Sequence, residues 1–452
     1  MTSIQELIEK DLKYIWHPYT QMKDYESEKP IIIEKGKGIY VWDIEGNKYI
    51  DGVSSWWVNT LGHSHPRLNK ALLEQAEKIE HVIFAGFTHK PAIELAERLV
   101  KLTPDELSRV FYSDNGSTAV EVALKMAYQY WNQKGFPQKT KFVALKNSYH
   151  GDTLGAVSVG GVDLFHKMYK PLLFDIYQAE SPYCYRCQNG LNKENCNMAC
   201  LKSVEELFKA HSDTIAGIIV EPLIQAAGGM IIYPPEYLSK LRELCDKHNV
   251  LLIDDEVAMG FGRTGKMFGF EHSGVVPDII CLAKGLTAGY LPLAVTMMTD
   301  EIYSAFYDDY EKCKTFYHGH SFTGNPLAAC VAVENLKILE EEKIMEQIQP
   351  KAKRLGDAVQ KFWELEHVGD VRHLGMIAAV ELVKDKATKE PFPFEERIGS
   401  KIYAESLKRG AILRPLGNII YFMPPYVITE DEIETLVNIG FEAVKAVTAK
   451  LG

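Results

Sequence analysis

The chain has no run of about 18 apolar residues, the minimum for a membrane-spanning helix. Its first segment, MTSIQELIEKDLKYIW, carries acidic residues and no apolar core, which excludes a secretory signal. There is no excess of positive charge: 50 Lys and Arg stand against 61 Asp and Glu, a formal net charge of -11. That balance argues against a nucleic-acid or anionic-membrane partner. Internal repeats and low-complexity tracts are missing. Cysteine is sparse, 8 in 452 residues, as expected in a reducing compartment. The expectation from these absences is a cytoplasmic enzyme.

What is present is ordinary globular composition, with 46% hydrophobic and 25% charged residues. A chain of 452 residues exceeds one hydrophobic core. Near the start, Ser3-x-x-Glu6 reads as a capping box opening a short helix, Ser3 to Leu12. The runs IIIEKGKGIYVWD and KYIDGVSS follow as β-like segments around the turn Glu45-Gly46-Asn47. From about Pro91 apolar strands (RVFYSDN, KFVALKNS, IAGIIVEP, VLLIDDE) alternate with helices (PAIELAERLVKL, STAVEVALKMAYQYW, PPEYLSKLRELCDKHN). Strands apolar on both faces, joined by helices, imply an α/β fold with a buried, mostly parallel sheet. DVRHLGMIAAVELV and AILRPLGNIIYFMPP read as strands of a smaller α+β domain. The expected division is 1–60 as an N-terminal segment of the small domain, 61–330 as the large domain and 331–452 as the C-terminal small domain.

The stretch LLIDDEVAMGFGRTGK, Leu251 to Lys266, fits G-x-G-x-x-G at Gly260, Gly262 and Gly265, and G-x-x-x-x-G-K through Lys266. What it lacks decides against both nucleotide readings. A dinucleotide fingerprint places its glycines at the strand end, where a helix N-terminus meets the pyrophosphate. Here Asp254, Asp255 and Glu256 hold that place, and three carboxylates facing a phosphate would repel it. The P-loop needs Ser or Thr after its lysine, and Met267 stands there. The glycines read instead as a flexible loop.

A carboxylate ending a buried strand suits a protonated heterocyclic nitrogen. Pyridoxal phosphate is an electron sink only while its ring nitrogen is protonated, and a buried carboxylate such as Asp255 keeps it so. That cofactor also needs a lysine. PDIICLAKGLTAGY supplies Lys284 after an apolar strand, where desolvation favours the reactive amine. SDNGSTAVE offers a phosphate cradle at Gly116 and Ser117, before a helix opened by Thr118-x-x-Glu121. Tyr149 in NSYHGDTLG sits at a strand end, where it can cover the ring. Alone, such a lysine is more often a surface residue and such an aspartate more often a cap. In this order on one α/β chain they point to a single chemistry.

VEVALKMAYQYW, SYHGDTLGAVSV, LLIDDEVAMGFGRTGK, CLAKGLTAGYLPLA and HGHSFTGNPLA together resemble the class III aminotransferases of fold type I. The resemblance runs from about Trp16 to the C-terminus. Within that family WHPYTQM, DGVSSWWVNTLGHSHP and LRPLGNIIYFMPPY are similar to the branch that serves biotin synthesis. The resemblance implies pyridoxal 5'-phosphate as cofactor and a homodimer with its active sites at the subunit interface. It implies Lys284 as the Schiff-base lysine and proton carrier, Asp255 on the pyridine nitrogen, Tyr149 stacked on the ring and Glu221 at its far side. Gly116 and Ser117 would bind the phosphate, joined from the other subunit by Gly319, His320 and Ser321, at the phosphate or the substrate. His320-Ser321 stands where the family often has Pro-Thr, which keeps the hydroxyl donor.

The resemblance also implies that Tyr19 and Trp56 line the substrate pocket and that Arg414 holds a carboxylate. An aromatic wall and a bidentate cation suit a long apolar substrate ending in a carboxylate. The implied acceptor is 8-amino-7-oxononanoate, aminated in two half-reactions with ping-pong kinetics. For the donor, Tyr19 and Tyr421 resemble the S-adenosylmethionine type, which needs aromatic surface for adenine, whereas GYLPLAVT and RPLG resemble a lysine-using type. A class III aminotransferase acting on another ω-amino compound shares the cofactor motifs. A non-catalytic binding protein is disfavoured by the joint presence of Lys284 and Asp255.

One motif lies outside this chemistry. SPYCYRCQNGLNKENCNMAC carries Cys184, Cys187, Cys196 and Cys200 as C-x2-C-x8-C-x3-C, a spacing compatible with zinc or an iron–sulfur cluster. Against it, Cys196 and Cys200 fall where MACLKSVEELF begins a helix, which splays their thiols. The plain alternative is four reduced thiols in a surface insertion.

Overall fold

The computed structural model describes residues 3–28, 30–191 and 194–450. At its centre lies a seven-stranded sheet in the order Arg109–Ser113, Ala294–Met298, Ile279–Leu282, Leu251–Asp255, Ile215–Val220, Lys141–Leu145, Tyr177–Ala179. The last five run parallel, while Ala294–Met298 is antiparallel to both its neighbours. Every residue of Ile215–Val220 and of Leu251–Asp255 is buried, so neither strand shows the alternation of a half-exposed one. The 18-residue helix Gly116–Gln133 buries Ala119, Val120, Val122, Ala123, Leu124, Met126 and Ala127. The same face ends on the buried rings of Tyr130 and Trp131.

The chain's first strands meet its last ones. Lys48–Asp51 extends the antiparallel pair Ile33–Lys37 and Tyr40–Asp43 and pairs in parallel with Ala411–Ile412. A further sheet joins Val368–Leu374, Ile377–Asp385 and Glu390–Pro391, with Ile419–Phe422 on the other edge of Ile377–Asp385. DVRHLGMIAAVELV is therefore a hairpin rather than one strand, turned at Gly375 with φ 58°. AILRPLGNIIYFMPP is also broken in two, at Ala411–Ile412 and Ile419–Phe422. Pro415 has no N–H for a ladder, and Gly417 takes φ 59°. The helix expected from Thr118 begins two residues earlier, capped by Asn115 with Thr118 as reciprocal partner. Glu121 instead accepts the N–H of Gly155 at 2.7 Å and of Ala156 at 3.2 Å. No helix among the described residues is long and apolar enough to cross a membrane.

At the opposite end of the sheet from the strand C-termini a lysine ties three connections together. Lys139 is buried, and its Nζ donates to the carbonyls of Ser212 at 2.7 Å, Ile215 at 2.9 Å and Asn249 at 2.7 Å. Lys139→Met keeps the stem and leaves those acceptors unpaired. The expected cost is about 3 kcal/mol or more, since each unsatisfied buried acceptor costs about 1–3 kcal/mol. Calorimetry of the variant would show a lowered unfolding midpoint, with turnover at 25 °C hardly changed.

The C-terminal ends of the parallel strands open into one crevice. Tyr149 and His150 follow Lys141–Leu145, Glu221 follows Ile215–Val220, Asp255 ends its own strand, and Lys284 follows Ile279–Leu282. Ligands of open α/β sheets bind at such strand ends.

Candidate active site

The crevice is a cavity of about 1140 Å³, large for a single small molecule. Lys284 enters it with φ 43°, in the left-handed region that non-glycine residues rarely adopt. Its Nζ lies 4.5 Å from the centroid of the Trp57 ring. The amine lines the cavity, half-buried among its wall residues. Desolvation brings its pKa down to about 8, outweighing the opposite pull of Asp255 and Glu221.

Asp255 is 3% exposed. Its Oδ1 accepts the N–H of Val257 at 3.0 Å, and its Oδ2 lies 2.7 Å from His150 Nδ1. A carboxylate only accepts, so Nδ1 carries the proton. His150 is the functional residue that sequence reasoning missed, although it stands beside Tyr149 in the same box. Glu221, also buried, accepts from the N–H of Tyr149 at 3.0 Å and of Ala226 at 2.8 Å. Burial raises its pKa to about 7; His150 pulls it down and Asp255 pushes it up.

Two expectations about this strand end change. Strand alternation turns only Asp255 toward the cavity. Asp254 and Glu256 are completely buried on the other side. Burial raises both, Asp254 well above its usual range and Glu256 to about 8, and each acid's charge opposes ionisation of its neighbours. Glu256 Oε1 takes the N–H of Phe270 at 3.0 Å. The glycine stretch after them is no flexible loop. Residues 260–264 are all buried. Arg263 donates to the carbonyls of Pro424 at 3.0 Å, Trp57 at 3.3 Å and Asn59 at 3.1 Å. Gly262 and Gly265, at φ 104° and 95°, supply the turns.

The proposed cradle has the shape of an anion site. Asn115 caps the helix Gly116–Gln133 by accepting from Thr118, which leaves the N–H groups of Gly116 and Ser117 to the cavity they line. A Cβ at Gly116 would collide with the Val257 side chain. Ser117 Oγ bonds Thr153 Oγ1 at 2.7 Å.

At the outer end of the cavity, four consecutive residues, Ser54 to Trp57, all have positive φ of 46–73°. A left-handed turn of L-residues costs roughly 1–2 kcal/mol per residue. It is held by Asp51, which accepts Ser55 N–H at 2.8 Å and Ser55 Oγ at 2.6 Å, and by Ser54 Oγ on the Met423 carbonyl at 2.7 Å. The turn splits two adjacent tryptophans. Trp57 is buried beneath Lys284, while Trp56 is 41% exposed, with the Arg414 guanidinium 4.8 Å from its ring centroid. Tyr19 meets Trp56 edge-on at 5.6 Å, and its carbonyl accepts from Arg414 Nη2 at 3.4 Å. The Tyr19 hydroxyl donates to Asp152 at 2.7 Å, and burial raises its pKa to about 12. Asp152, like His150, went unread in the sequence. Tyr421 is 2% exposed and borders the cavity from within the fold. Its hydroxyl accepts the Trp57 indole N–H at 2.9 Å, so it braces that tryptophan.

Gly319, His320 and Ser321 do not line this chain's cavity. His320 Nδ1 sits 2.8 Å from Asp114, just ahead of the cradle. The metal reading of the cysteines is corrected. All eight cysteines stand as thiols. Cys184, Cys187, Cys196 and Cys200 border one small cleft of about 20 Å³. Yet among the described residues no group of three or more His, Cys, Asp or Glu side chains is arranged to hold a metal. Cys200 is the N-cap of the helix Leu201–His211, and Cys196 lies one turn before it.

The model of the aminotransferase class-III family matches residues 22–444. The chain belongs to the class III aminotransferases. A Geobacter sulfurreducens relative named adenosylmethionine-8-amino-7-oxononanoate aminotransferase is 50% identical over 435 residues, 96% of each chain. The Aquifex aeolicus protein of the same name is 50% identical over 95% of this chain and 94% of its own. The solved structure of the Methanocaldococcus jannaschii protein of that name has a TM-score of 0.94 and 46% identity, covering 98% of this chain and 99% of its own. An ω-transaminase of Pseudomonas jessenii, solved in complex with PMP, has a TM-score of 0.94 at 35% identity, covering 99% of both chains. This class III aminotransferase is thus a transaminase dependent on pyridoxal phosphate, and its residues fit the cofactor. An amine of lowered pKa, a strand-end carboxylate and a helix N-terminus with two unclaimed N–H groups surround one cavity.

The lowered amine gives this aminotransferase a pH signature. Only the unprotonated amine has the lone pair that attacks the cofactor's aldehyde. At pH 7.5 a pKa of about 8 leaves roughly a quarter of Lys284 in that form, against about one part in a thousand at 10.5. Capture of pyridoxal phosphate by the apoprotein is expected to speed up with rising pH and to level off above about 8. Stopped-flow absorbance would record it, and a rate still climbing tenfold per unit at pH 9.5 would contradict it.

Proposed function

We propose that the chain transfers an amino group from S-adenosylmethionine to 8-amino-7-oxononanoate, giving 7,8-diaminononanoate for biotin synthesis. The observation that carries this reading is the run of relatives bearing that name, half identical over nearly the whole chain. The arrangement of Arg414, Trp56 and Tyr19 supports it. A fixed cation on an aromatic wall suits the carboxylate end of a long aliphatic keto acid.

In this reading pyridoxal phosphate supplies the electron sink that lets a proton leave the substrate carbon bearing the amine. The chain does the rest. Lys284 Nζ would anchor the cofactor and would carry the Cα proton across the amine nitrogen to the carbon on its other side. Asp255 holds a proton on the ring nitrogen, and His150 Nδ1–H fixes the Asp255 carboxylate in place. Gly116 and Ser117 N–H groups would hold the phosphate, and Tyr149 and Glu221 would flank the ring. Arg414 holds the keto acid's carboxylate, and Tyr19 and Trp56 line its path. The enzyme works as a homodimer, with Gly319, His320 and Ser321 of a second copy reaching the phosphate or the substrate; exposed Tyr317 and Phe322 beside them, 73% and 63%, suit an interface. Residues 61–330 form the cofactor domain, and 1–60 with 331–452 the smaller one.

The test is turnover of the loaded enzyme on 8-amino-7-oxononanoate with S-adenosylmethionine or lysine as sole donor, product being read by mass spectrometry. Diaminononanoate with S-adenosylmethionine supports the reading. Product with lysine alone keeps the acceptor and replaces the donor. No product with either, while simple ω-amino donors aminate other keto compounds, would place the enzyme with its ω-transaminase neighbours.

A further inference from the structure

One wall of the cavity is bare backbone. Ala227, Gly228 and Gly229 line it, and the one methyl of Ala227 is the whole of their side-chain packing. A Cβ at Gly228 would run into the Asn147 carbonyl, and one at Gly229 would meet Ile419 Cδ1 at 2.7 Å. The wall is as thin as a chain can be and sits between two packed surfaces, so hydrogen bonds to its backbone set its place.

Those bonds come from two sides. Glu221 takes the N–H of Ala226 at 2.8 Å, at the start of the loop. At its end the buried Arg372, on the strand Val368–Leu374, spends two donors on main chain. Its Nη2 donates to the Gly229 carbonyl at 2.8 Å and its Nε to the Met230 carbonyl at 3.0 Å. Its Nη1 donates to Glu381 Oε2 and Asp370 Oδ2, both at 2.7 Å. Glu381, also buried, receives Arg186 Nε at 2.6 Å and the Tyr183 hydroxyl. Burial raises the Glu381 carboxyl, but Arg372, Tyr183 and Arg186 outweigh it and hold it below its usual range. A buried guanidinium aimed at two carbonyls needs such a paired carboxylate to stay in place.

Arg186 lies between Cys184 and Cys187. Its Nη1 also donates to the Lys389 carbonyl at 2.8 Å, and Lys389 Nζ returns a bond to the Tyr185 carbonyl at 2.7 Å. The cysteine-bearing segment thus covers the outer side of the Arg372–Glu381 pair.

We propose that Arg372 is a positioning residue that determines substrate fit. From the second sheet it holds the Gly228–Gly229 wall against which the long chain of the amino acceptor lies, and the cysteine-bearing segment secures it through Arg186, Tyr183 and Glu381. This rests on the transaminase reading of the cavity. Arg372→Lys keeps the charge and loses the planar fork. The expected result is a KM for 8-amino-7-oxononanoate about tenfold higher, with kcat within twofold and one pyridoxal phosphate still bound per chain. Amide hydrogen exchange of a peptide spanning 226–230 should quicken about tenfold without any substrate, while peptides over Leu251–Asp255 stay protected. Arg186→Gln, at a half-buried position, should shift KM and exchange in the same sense by less, and it carries the test if Arg372→Lys does not fold.

Unchanged exchange at 226–230, or a KM within twofold, overturns the proposal. So does faster exchange spread over the whole chain, which would make Arg372 a general support of the fold. Because exchange is read without substrate, a wild-type enzyme that fails to aminate the keto acid would overturn the reading of the cavity and leave this test standing.

Discussion

Lys284→Ala is expected to lower turnover at least about 10⁴-fold, the upper scale for one positioned proton-transfer group, even before loss of the cofactor's anchor is counted. The size follows from what surrounds the amine. Among the described residues lining the cavity Lys284 is the only lysine, so no neighbour can take over either role. Its place is held by backbone: a left-handed residue after a fully buried strand, with Trp57 beneath. Removing the side chain beyond Cβ leaves that frame intact, so the variant should fold and melt close to wild type. Single-turnover measurement with the donor alone isolates the step. A variant retaining more than about one hundredth of wild-type turnover would show that another base carries the proton.

Asp255→Asn should be damaging too, by less and for a different reason. The amide matches the carboxylate in shape but bears no charge, so it cannot hold a proton on a ring nitrogen. Loss of one preorganised electrostatic partner of this kind costs about 10²–10³ in kcat. The amide oxygen can still accept from His150 Nδ1–H, so cofactor occupancy should fall much less than kcat. Steady-state kinetics beside a cofactor-per-chain assay distinguishes the two effects. Equal loss of occupancy and kcat would make Asp255 a structural residue instead. His150→Ala, which leaves the charge but removes its buried partner, should fall between wild type and Asp255→Asn.

The chemistry at the strand ends was legible because it depends on residue type and order. A carboxylate closing VLLIDDE, a lysine after PDIICLA and Gly-Ser before a helix each stand where local sequence puts them, and the strands on both sides of the motifs are buried as their apolar runs require. The parts that went unread depend on contacts across the chain. His150 comes from a loop after one strand and meets Asp255 at the end of another, 105 residues later. The left-handed turn at Ser54 to Trp57 is invisible in SSWW; it exists because Asp51 and the Met423 carbonyl, 369 residues beyond Ser54, hold it.

The glycines after Asp255 misled in the same way. Read locally, GFGRTG is a flexible loop; in the fold Arg263 stitches it to three carbonyls from two distant segments. Three consecutive acids looked like three charges facing one site. The strand's alternation sends two of them into the interior, where burial raises both carboxyls and disfavours their charge. The cysteine spacing stated ligand number without direction: the four side chains border one cleft, yet among the described residues no group of three or more is arranged to hold a metal.

The most direct test of the account is to load the protein with pyridoxal phosphate, reduce it with borohydride and map the modified peptide by mass spectrometry. The account predicts one phosphopyridoxyl group per chain, on Lys284, and loss of the label when S-adenosylmethionine is added before reduction. Label on another lysine, or none on protein that binds the cofactor, would contradict it.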